Sequence, residues 1–157
     1  MLSTSFSRIF FNNGIDLNNK TLHLGVFIEP FLTKILIGKK VWESRFSINR
    51  CPPYQRVNDG DILLIKKSGG PILGYSEIEN VIYLELDTLS FDDLKQEYSE
   101  LLCIEDPLFW ETKRLASYMT IMKLSKFQKI SPIDIVKRDR RGWVVLKPEL
   151  EQFKLAF

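Results

Sequence analysis

Strand-like and helical segments occupy different parts of the chain, and this order constrains the fold more than any other feature. Apolar patterns typical of β-strands lie at about 22–28, 41–46, 62–65, 72–83, 118–127, 133–136 and 143–146. Apart from a short helix at 29–38, helical spacing is confined to a central insertion from Ser90 to Arg114. Because no strand–helix–strand unit repeats, we predict an α+β fold: a small, mostly antiparallel β-barrel with a few appended helices.

The two ends of the chain are less regular than its middle. At 157 residues with 45% apolar composition, the chain has room for one domain with its own core, so we predict a single domain over 1–157. Its core is expected at about 22–147, with 1–21 as an N-terminal extension that docks through a short element. Residues 148–157 are predicted to form a helical turn, and 133–136 and 143–146 to pair as a last hairpin.

Charge and cysteine content exclude several kinds of protein. A formal charge of +2 gives no bulk field that would gather nucleic acid without a defined site. Cys51 and Cys103 stand far apart and form no C-x-x-C pair, which argues against a zinc site or a disulfide framework, so neither a metal nor a cofactor is predicted. No signal peptide and no long apolar run is visible, and we expect a cytoplasmic protein without membrane contact.

The first strand, 22–28, has two unequal faces. Leu22, Leu24, Val26 and Ile28 share one parity, which predicts that they face the core. The other parity carries His23, the single histidine of the chain, with Gly25 and Phe27, and could face a groove. A lone strand histidine without a G-x-S-x-G turn or a neighbouring nucleophile is more typical of a structural residue than of a catalytic one.

The stretch from Gly38 to Arg45 carries more charge than a packing strand needs. Gly38 is placed to end the short helix in a left-handed conformation, after which Lys40, Glu43 and Arg45 reach the mouth of the predicted barrel. In a regular strand Glu43 and Arg45 share a face and Lys40 has the opposite parity. The three side chains therefore converge only if Lys40 lies before the pleat begins, or if the strand is bulged.

These residues resemble a known family. The spacing G-x-K-x-x-E-x-R, met by Gly38, Lys40, Glu43 and Arg45, resembles the ASCH domain of the PUA-like superfamily. The resemblance extends over roughly 23–146 through a Gly-Asp turn (Gly60, Asp61) and a glycine-bearing hairpin (Gly69, Gly70, Gly74).

The resemblance implies a barrel with a cleft lined by the motif residues, and RNA or modified nucleosides as ligands. Some relatives are ribonucleases or amidohydrolases that act on acetylated cytidine. The amidohydrolase branch has a threonine three residues after the lysine, where this chain has Glu43, so that activity is not carried over.

The motif residues permit more than one chemistry. A partly desolvated Lys40 can act as a base or nucleophile, or remain charged and hold a phosphate. Glu43 can take a proton or accept a hydrogen bond from a base amino group, and Arg45 offers a fork for phosphate or carboxylate. The alternative is structural: an ion pair between Glu43 and Arg45 that pins loops, with Lys40 in solvent.

Two further segments are candidate contacts for the same ligand. The turn containing Ser68 and Gly69 allows the backbone to approach whatever lies over it. The run 137–143 places Arg140 and Arg141 beside Trp143, an arrangement that can grip phosphates while an aromatic ring stacks on a base. A solvated turn with Trp143 in the core is the equally valid alternative. The aromatic residues Phe109, Trp110 and Tyr118 either cover the cleft as a lid or belong to the core.

Three functions therefore remain open. The leading hypothesis is binding of RNA or a modified nucleotide at Lys40, Glu43 and Arg45, with Ser68, Gly69, Arg140 and Arg141 as further contacts. The alternative is a small hydrolase, a ribonuclease or nucleoside amidohydrolase, that uses Lys40 and Glu43. A second alternative is a protein-interaction module. Whether the protein is an enzyme, and its oligomeric state, are left undecided by the sequence.

Overall fold

The structure is a computed structural model that describes residues 8–10, 12–137 and 139–146. The predicted C-terminal turn at 148–157 and the first part of the N-terminal extension lie outside the described residues. The described strands are β1 (Leu22–Phe27), β2 (Trp42–Ser47), β3 (Ile62–Lys67), β4 (Ile72–Glu85), β5 (Tyr118–Ile133) and β6 (Trp143–Leu146). Three helices follow β1 in the chain: α1 (Phe31–Leu36), α2 (Phe91–Tyr98) and α3 (Leu108–Glu111). Residues 8–10 and 12, before β1, are also helical. None of the described helices has the length and apolar character needed to cross a membrane.

The strands form one curled sheet in the order β2-β5-β4-β3-β1-β6, which makes a half-barrel. Neighbouring strands are antiparallel except β1 and β3, which are parallel, so the prediction of a mostly antiparallel α+β fold is confirmed. Within the described residues, β2 and β6 are the two edges of the sheet. The sheet therefore curls without closing into a continuous barrel.

The partner of β6 differs from the sequence-based expectation. β6 pairs with β1 in register from Leu22↔Leu146 to Gly25↔Trp143. The predicted hairpin with 133–136 is therefore wrong. Alternating apolar residues predict a strand but not the strand with which it pairs. In the structure β6 pairs with the backbone groups of β1 on the side away from β3.

Both faces of β1 are buried for most of its length. Leu22 and Leu24 pack in a cluster on one face of the sheet, together with Phe10 of the N-terminal extension. On the opposite face His23 is 0% exposed and Phe27 lies in a second cluster, while Ile28 beyond the strand is 60% exposed. On the side of β1 that was predicted to face a groove, Phe27 borders a cavity beside β2, whereas His23 lies in the core, because the strand lies between two neighbours and is packed on both faces.

The central insertion joins β4 to β5 and folds back over the start of β5. Its apolar residues form a third cluster with the start of that strand, and the buried members of the cluster are Leu86, Leu94, Leu102, Trp110, Met119 and Ile121. Ser90 caps α2 by accepting a hydrogen bond from the Asp93 amide, as its position before the helix predicts. This packing carries the segment from Leu102 to Lys113 across the side of β2.

Candidate functional site

The approach to β2 delivers Lys40 from a loop. Gly38 has φ +78° and ends the α1 region, as predicted, and β2 begins only at Trp42. Lys40 therefore lies before the pleat, where strand parity does not apply. Its side chain is 3% exposed, and its Nζ donates a 2.6 Å hydrogen bond to the carbonyl oxygen of Leu102 in the insertion.

Glu43 lies on β2 and is also buried. Its Oε1 accepts a 2.8 Å hydrogen bond from the backbone amide of Ser44. Among the described residues, no other hydrogen bond and no ion pair within 4.0 Å engages this carboxylate. The second oxygen of Glu43 is therefore left for a ligand or water.

Arg45 reaches from β2 to the opposite edge of the sheet. Its Nη2 donates a 2.9 Å hydrogen bond to the carbonyl oxygen of Val26, and its Nη1 a 3.1 Å hydrogen bond to that of Gly142. The guanidinium also lies 4.6 Å from the centre of the Phe27 ring and 5.3 Å from that of Trp143. Arg45 thus ties β2 to β1 and to the residue before β6 through carbonyl groups, whereas the structural alternative supposed an ion pair with Glu43.

The three motif side chains line a single cavity of about 320 Å³. Lys40, Glu43 and Arg45 share its wall without forming an ion pair with one another in the described structure. The volume lies at the small end of the range of about 300–1,000 Å³ that is typical of small-molecule sites. The wall is completed by these residues: Val26, Phe27, Ile28, Phe31, Ser44, Phe46, Ile104, Phe109, Lys113 and Gly142.

Lys113 is the charged cavity residue that the sequence did not reveal. It follows α3, 73 positions beyond Lys40, and belongs to no recognisable motif. Its Nζ lies 5.4 Å from the ring centre of Phe46 and 5.2 Å from that of Phe109. Three cationic side chains and the single carboxylate of Glu43 therefore line the cavity.

Burial changes the acid–base properties of these cations. Desolvation lowers the pKa of Lys40, and the charge of Glu43 opposes that effect. Desolvation also lowers the pKa of Lys113, with a further lowering from the positive charge of Arg45 and an opposing effect of Glu43. For Arg45 burial again lowers the pKa, although a guanidinium remains charged at ordinary pH.

Aromatic rings form much of the remaining wall. Phe31 lies under Lys40, with the ammonium 5.1 Å from the ring centre, and Phe109 makes edge contacts with both Phe31 and Phe46. Of the predicted lid residues, only Phe109 lines the cavity. Trp110 is 2% exposed in the insertion core, and Tyr118 packs on Tyr54, so the lid prediction is wrong for these two residues.

The two segments proposed as further contacts lie near the cavity but outside its wall. The amide of Ser68 donates a 2.9 Å hydrogen bond to the carbonyl oxygen of Phe27, which places the exposed Ser68–Gly69 turn at the end of the sheet where β1 meets the cavity. Arg140 and Arg141 are exposed just before Gly142, which does line the cavity. Arg141 is paired with Asp139 at 2.8 Å.

His23 is structural, as expected for a lone strand histidine. Its Nε2 lies 2.9 Å from Asp61 Oδ2, and Trp143 Nε1 donates a 3.1 Å hydrogen bond to its Nδ1. Trp143 is 5% exposed, so it cannot stack on an external base as the sequence allowed. In the part of the chain that the structure describes, no group of three or more histidine, cysteine or acidic side chains could hold a metal ion.

Comparison with known proteins identifies the fold. No family model matches the sequence, and no curated protein matches it either. Among solved structures, the ASCH protein of Zymomonas mobilis is similar at 16% sequence identity and a TM-score of 0.61, covering 83% of this chain and 91% of that chain. Two single-residue mutants of the same protein give TM-scores of 0.63 at 16% identity, covering 83% and 85% of this chain and 94% of theirs.

The match extends over most of both chains. At this level of identity the likeness establishes the ASCH fold and does not establish a shared activity. The resemblance that the G-x-K-x-x-E-x-R spacing indicated is therefore confirmed at the level of structure.

Proposed function

We propose that this ASCH-fold chain binds RNA or a nucleotide, including a modified one, in the cavity lined by Lys40, Glu43 and Arg45. The observation that carries the proposal is the composition of one small cavity. Cationic and acidic side chains share its wall with aromatic rings and form no ion pairs with one another among the described residues. Their charges are therefore available to a ligand.

The polar groups match those of a nucleotide. The unengaged oxygen of Glu43 can accept a hydrogen bond from the amino group of a base. Lys40 uses one N–H on Leu102 and retains two for a base or sugar oxygen. Phe31, Phe46 and Phe109 offer apolar surface for a planar ring, which stacks on aromatic side chains with little dependence on base identity.

The exposed turns extend the same surface. In this proposal Ser68 and Gly69 contribute backbone contacts, and Arg140 and Arg141 contact phosphates of nucleotides that flank the one in the cavity. Their position at the end of the sheet that carries the cavity supports this role.

Binding measurements on the wild-type chain and on a Glu43 variant test the proposal directly. Purified protein is titrated into a fluorescently labelled single-stranded RNA of mixed sequence. In a separate calorimetric experiment, each of the four nucleoside monophosphates is titrated into the protein. Glu43→Gln is expected to reduce the affinity for ligands whose base donates a hydrogen bond from an amino group by about 10-fold, which corresponds to the loss of one charged hydrogen bond. Glu100→Gln, at an exposed position of the insertion, is the matched control. Absence of binding to every RNA and nucleotide by the wild-type chain would overturn the proposal.

A hydrolase is the second candidate, and the pKa of Lys40 is the observation that favours it. Burial lowers the pKa of Lys40, and the carboxylate of Glu43 lines the same cavity. A lysine and a carboxylate placed together in this way are common in sites of proton transfer or nucleophilic attack. Incubation of the wild-type chain with RNA and with modified nucleosides, followed by chromatography, tests this activity. Product that forms with wild type and not with Lys40→Arg would assign the turnover to Lys40, while equal rates would remove Lys40 from the chemistry.

A further inference from the structure

Lys113 is a charged side chain without a charged partner. It is half-buried at the cavity wall, and its ammonium rests against the rings of Phe46 and Phe109. Among the described residues, it makes no side-chain hydrogen bond and no ion pair within 4.0 Å. All three of its N–H groups are therefore available.

Arg45 places a second cation on the same wall. Both side chains line the same cavity of about 320 Å³, and the positive charge of Arg45 lowers the pKa of Lys113. Both Nη atoms of Arg45 are anchored on carbonyl oxygens, so the guanidinium is fixed in position while its charge remains uncompensated by any ion pair in the described structure. Two neighbouring cations in a partly desolvated wall are unfavourable unless an anion lies between them.

Lys40 differs from this pair. Its ammonium is directed to Leu102 at 2.6 Å, and the first opposing charge that acts on it is that of Glu43. The charge of Glu43 also opposes the lowering of the pKa of Arg45 and of Lys113, so this carboxylate acts on all three cations. The wall therefore carries three cations and one carboxylate, and among the described residues neither Arg45 nor Lys113 has a carboxylate within ion-pair distance.

We propose that Lys113 and Arg45 hold a phosphate group of the bound nucleotide, so that the cavity selects phosphorylated nucleotides over nucleosides. This inference rests on the proposed function and names its substrate class. The planar guanidinium and the lysine ammonium supply the two types of donor that proteins use for phosphate oxygens. The base then lies in the same cavity, with its amino group at Glu43.

The test compares ligands that differ only in phosphate. Calorimetric titration of the wild-type chain with adenosine, cytidine and their 5′-monophosphates is expected to show at least roughly 10-fold tighter binding of the phosphorylated forms. The dinucleoside monophosphate ApA, titrated beside adenosine, distinguishes a phosphodiester of an RNA chain from the terminal phosphate of a free nucleotide. Inorganic phosphate alone measures the contribution of the cationic pair without a base.

Variants then assign the effect to Lys113. Lys113→Met keeps a long apolar side chain against Phe46 and Phe109, and is expected to reduce monophosphate affinity by about 10-fold while leaving nucleoside affinity unchanged. Lys113→Arg is expected to retain the preference for phosphate. Lys95→Met, on the exposed face of α2, is the matched control and is expected to bind like wild type.

The outcomes separate this inference from the function on which it rests. If nucleosides and their phosphates bind equally to the wild-type chain, or if Lys113→Met weakens both to the same extent, the phosphate assignment is overturned and the proposed function stands. If no nucleoside, nucleotide or RNA binds, both fail. Preference for phosphate that disappears in Lys113→Met and returns in Lys113→Arg supports the assignment.

Discussion

Arg45 on β2 donates a 3.1 Å hydrogen bond to the carbonyl oxygen of Gly142, directly before β6. These strands are the two edges of the sheet and do not pair with each other within the described residues. The same Gly142 oxygen also accepts a 2.9 Å hydrogen bond from the amide of Val26. Arg45 therefore joins the two open edges of the half-barrel at the cavity, so one side chain both closes the sheet and contributes charge to the wall.

Arg45→Lys should destabilise the fold although it keeps the charge. A lysine ammonium cannot reproduce the planar fork that reaches Val26 and Gly142 together, and at least one carbonyl oxygen loses its charged donor. We expect a loss of about 1–3 kcal/mol in the free energy of unfolding, measured by urea denaturation. Arg50→Lys, at an exposed position, is the matched control and should leave the free energy of unfolding close to the wild-type value. Equal effects of the two substitutions would contradict the edge-joining role.

Lys40→Met should also destabilise the protein, for a different reason. The carbonyl oxygen of Leu102 accepts the 2.6 Å hydrogen bond from Lys40, and Leu102 is 0% exposed. Methionine fills similar space but leaves that oxygen without its donor, at a cost of about 1–3 kcal/mol in the free energy of unfolding. The measurement is urea denaturation followed by tryptophan fluorescence.

The neighbouring Lys39 provides the control for that substitution. Its side chain is more than half exposed and pairs at 3.5 Å with the exposed Glu105. Lys39→Met should therefore change the free energy of unfolding by less than about 1 kcal/mol. An unfolding midpoint of Lys40→Met at the wild-type value would show that the hydrogen bond to Leu102 does not anchor the insertion.

The chain Trp143–His23–Asp61 should make stability depend on pH. The indole N–H can only donate, so Nδ1 of His23 is the acceptor and Nε2 carries the proton that is donated to Asp61. Burial lowers the pKa of His23 below its ordinary value of about 6.5, although the hydrogen bond and charge of Asp61 oppose this shift. The folded state therefore binds a proton less readily than the unfolded state, and stability is lost as the pH falls below about 6.5.

Urea denaturation between pH 7.5 and 5.5 measures this effect. His23 is the only histidine, and carboxyl groups titrate mainly below this window, so the slope should reach at most about 1.4 kcal/mol per pH unit and be assignable to one side chain. His23→Gln can still accept from Trp143 and donate to Asp61 but does not titrate. Its stability should be nearly independent of pH over the same range, and a slope equal to that of wild type would assign the effect elsewhere.

The sequence predicted the local geometry around the motif well. The position of Gly38 predicted the end of the α1 region, and the observed φ of +78° agrees. Parity placed Lys40 opposite Glu43 and Arg45, and named a position before the pleat as one way for the three to meet. The structure has that arrangement because β2 begins at Trp42, two residues after Lys40.

Long-range relationships were beyond the reach of periodicity. The partner of β6 was predicted incorrectly, because alternation identifies a strand and its faces but not which free edge it covers. His23 was expected to face a groove and is 0% exposed, since β6 supplies a neighbour and Trp143 a hydrogen-bond donor from 120 residues away. Lys113 carried no signal at all: a lysine after a four-residue helix is ordinary until the insertion folds onto β2.

Arg140→Ala combined with Arg141→Ala should distinguish a chain of RNA from a single nucleotide. Both side chains are exposed outside the cavity, so binding of a nucleoside monophosphate should be unchanged while affinity for single-stranded RNA falls. The dependence of that affinity on salt should also weaken, by about 0.7 in logarithmic slope for each phosphate that the variant no longer neutralises. Arg140 should account for most of the effect, because Arg141 is paired with Asp139, whose pKa the pairing holds far below its usual range.

The charge-matched control is Arg50→Ala with Arg56→Ala, both at exposed positions. An equal loss in both double variants would reduce the effect to net charge, and an unchanged affinity for RNA in both would remove the 139–142 segment from the RNA interface.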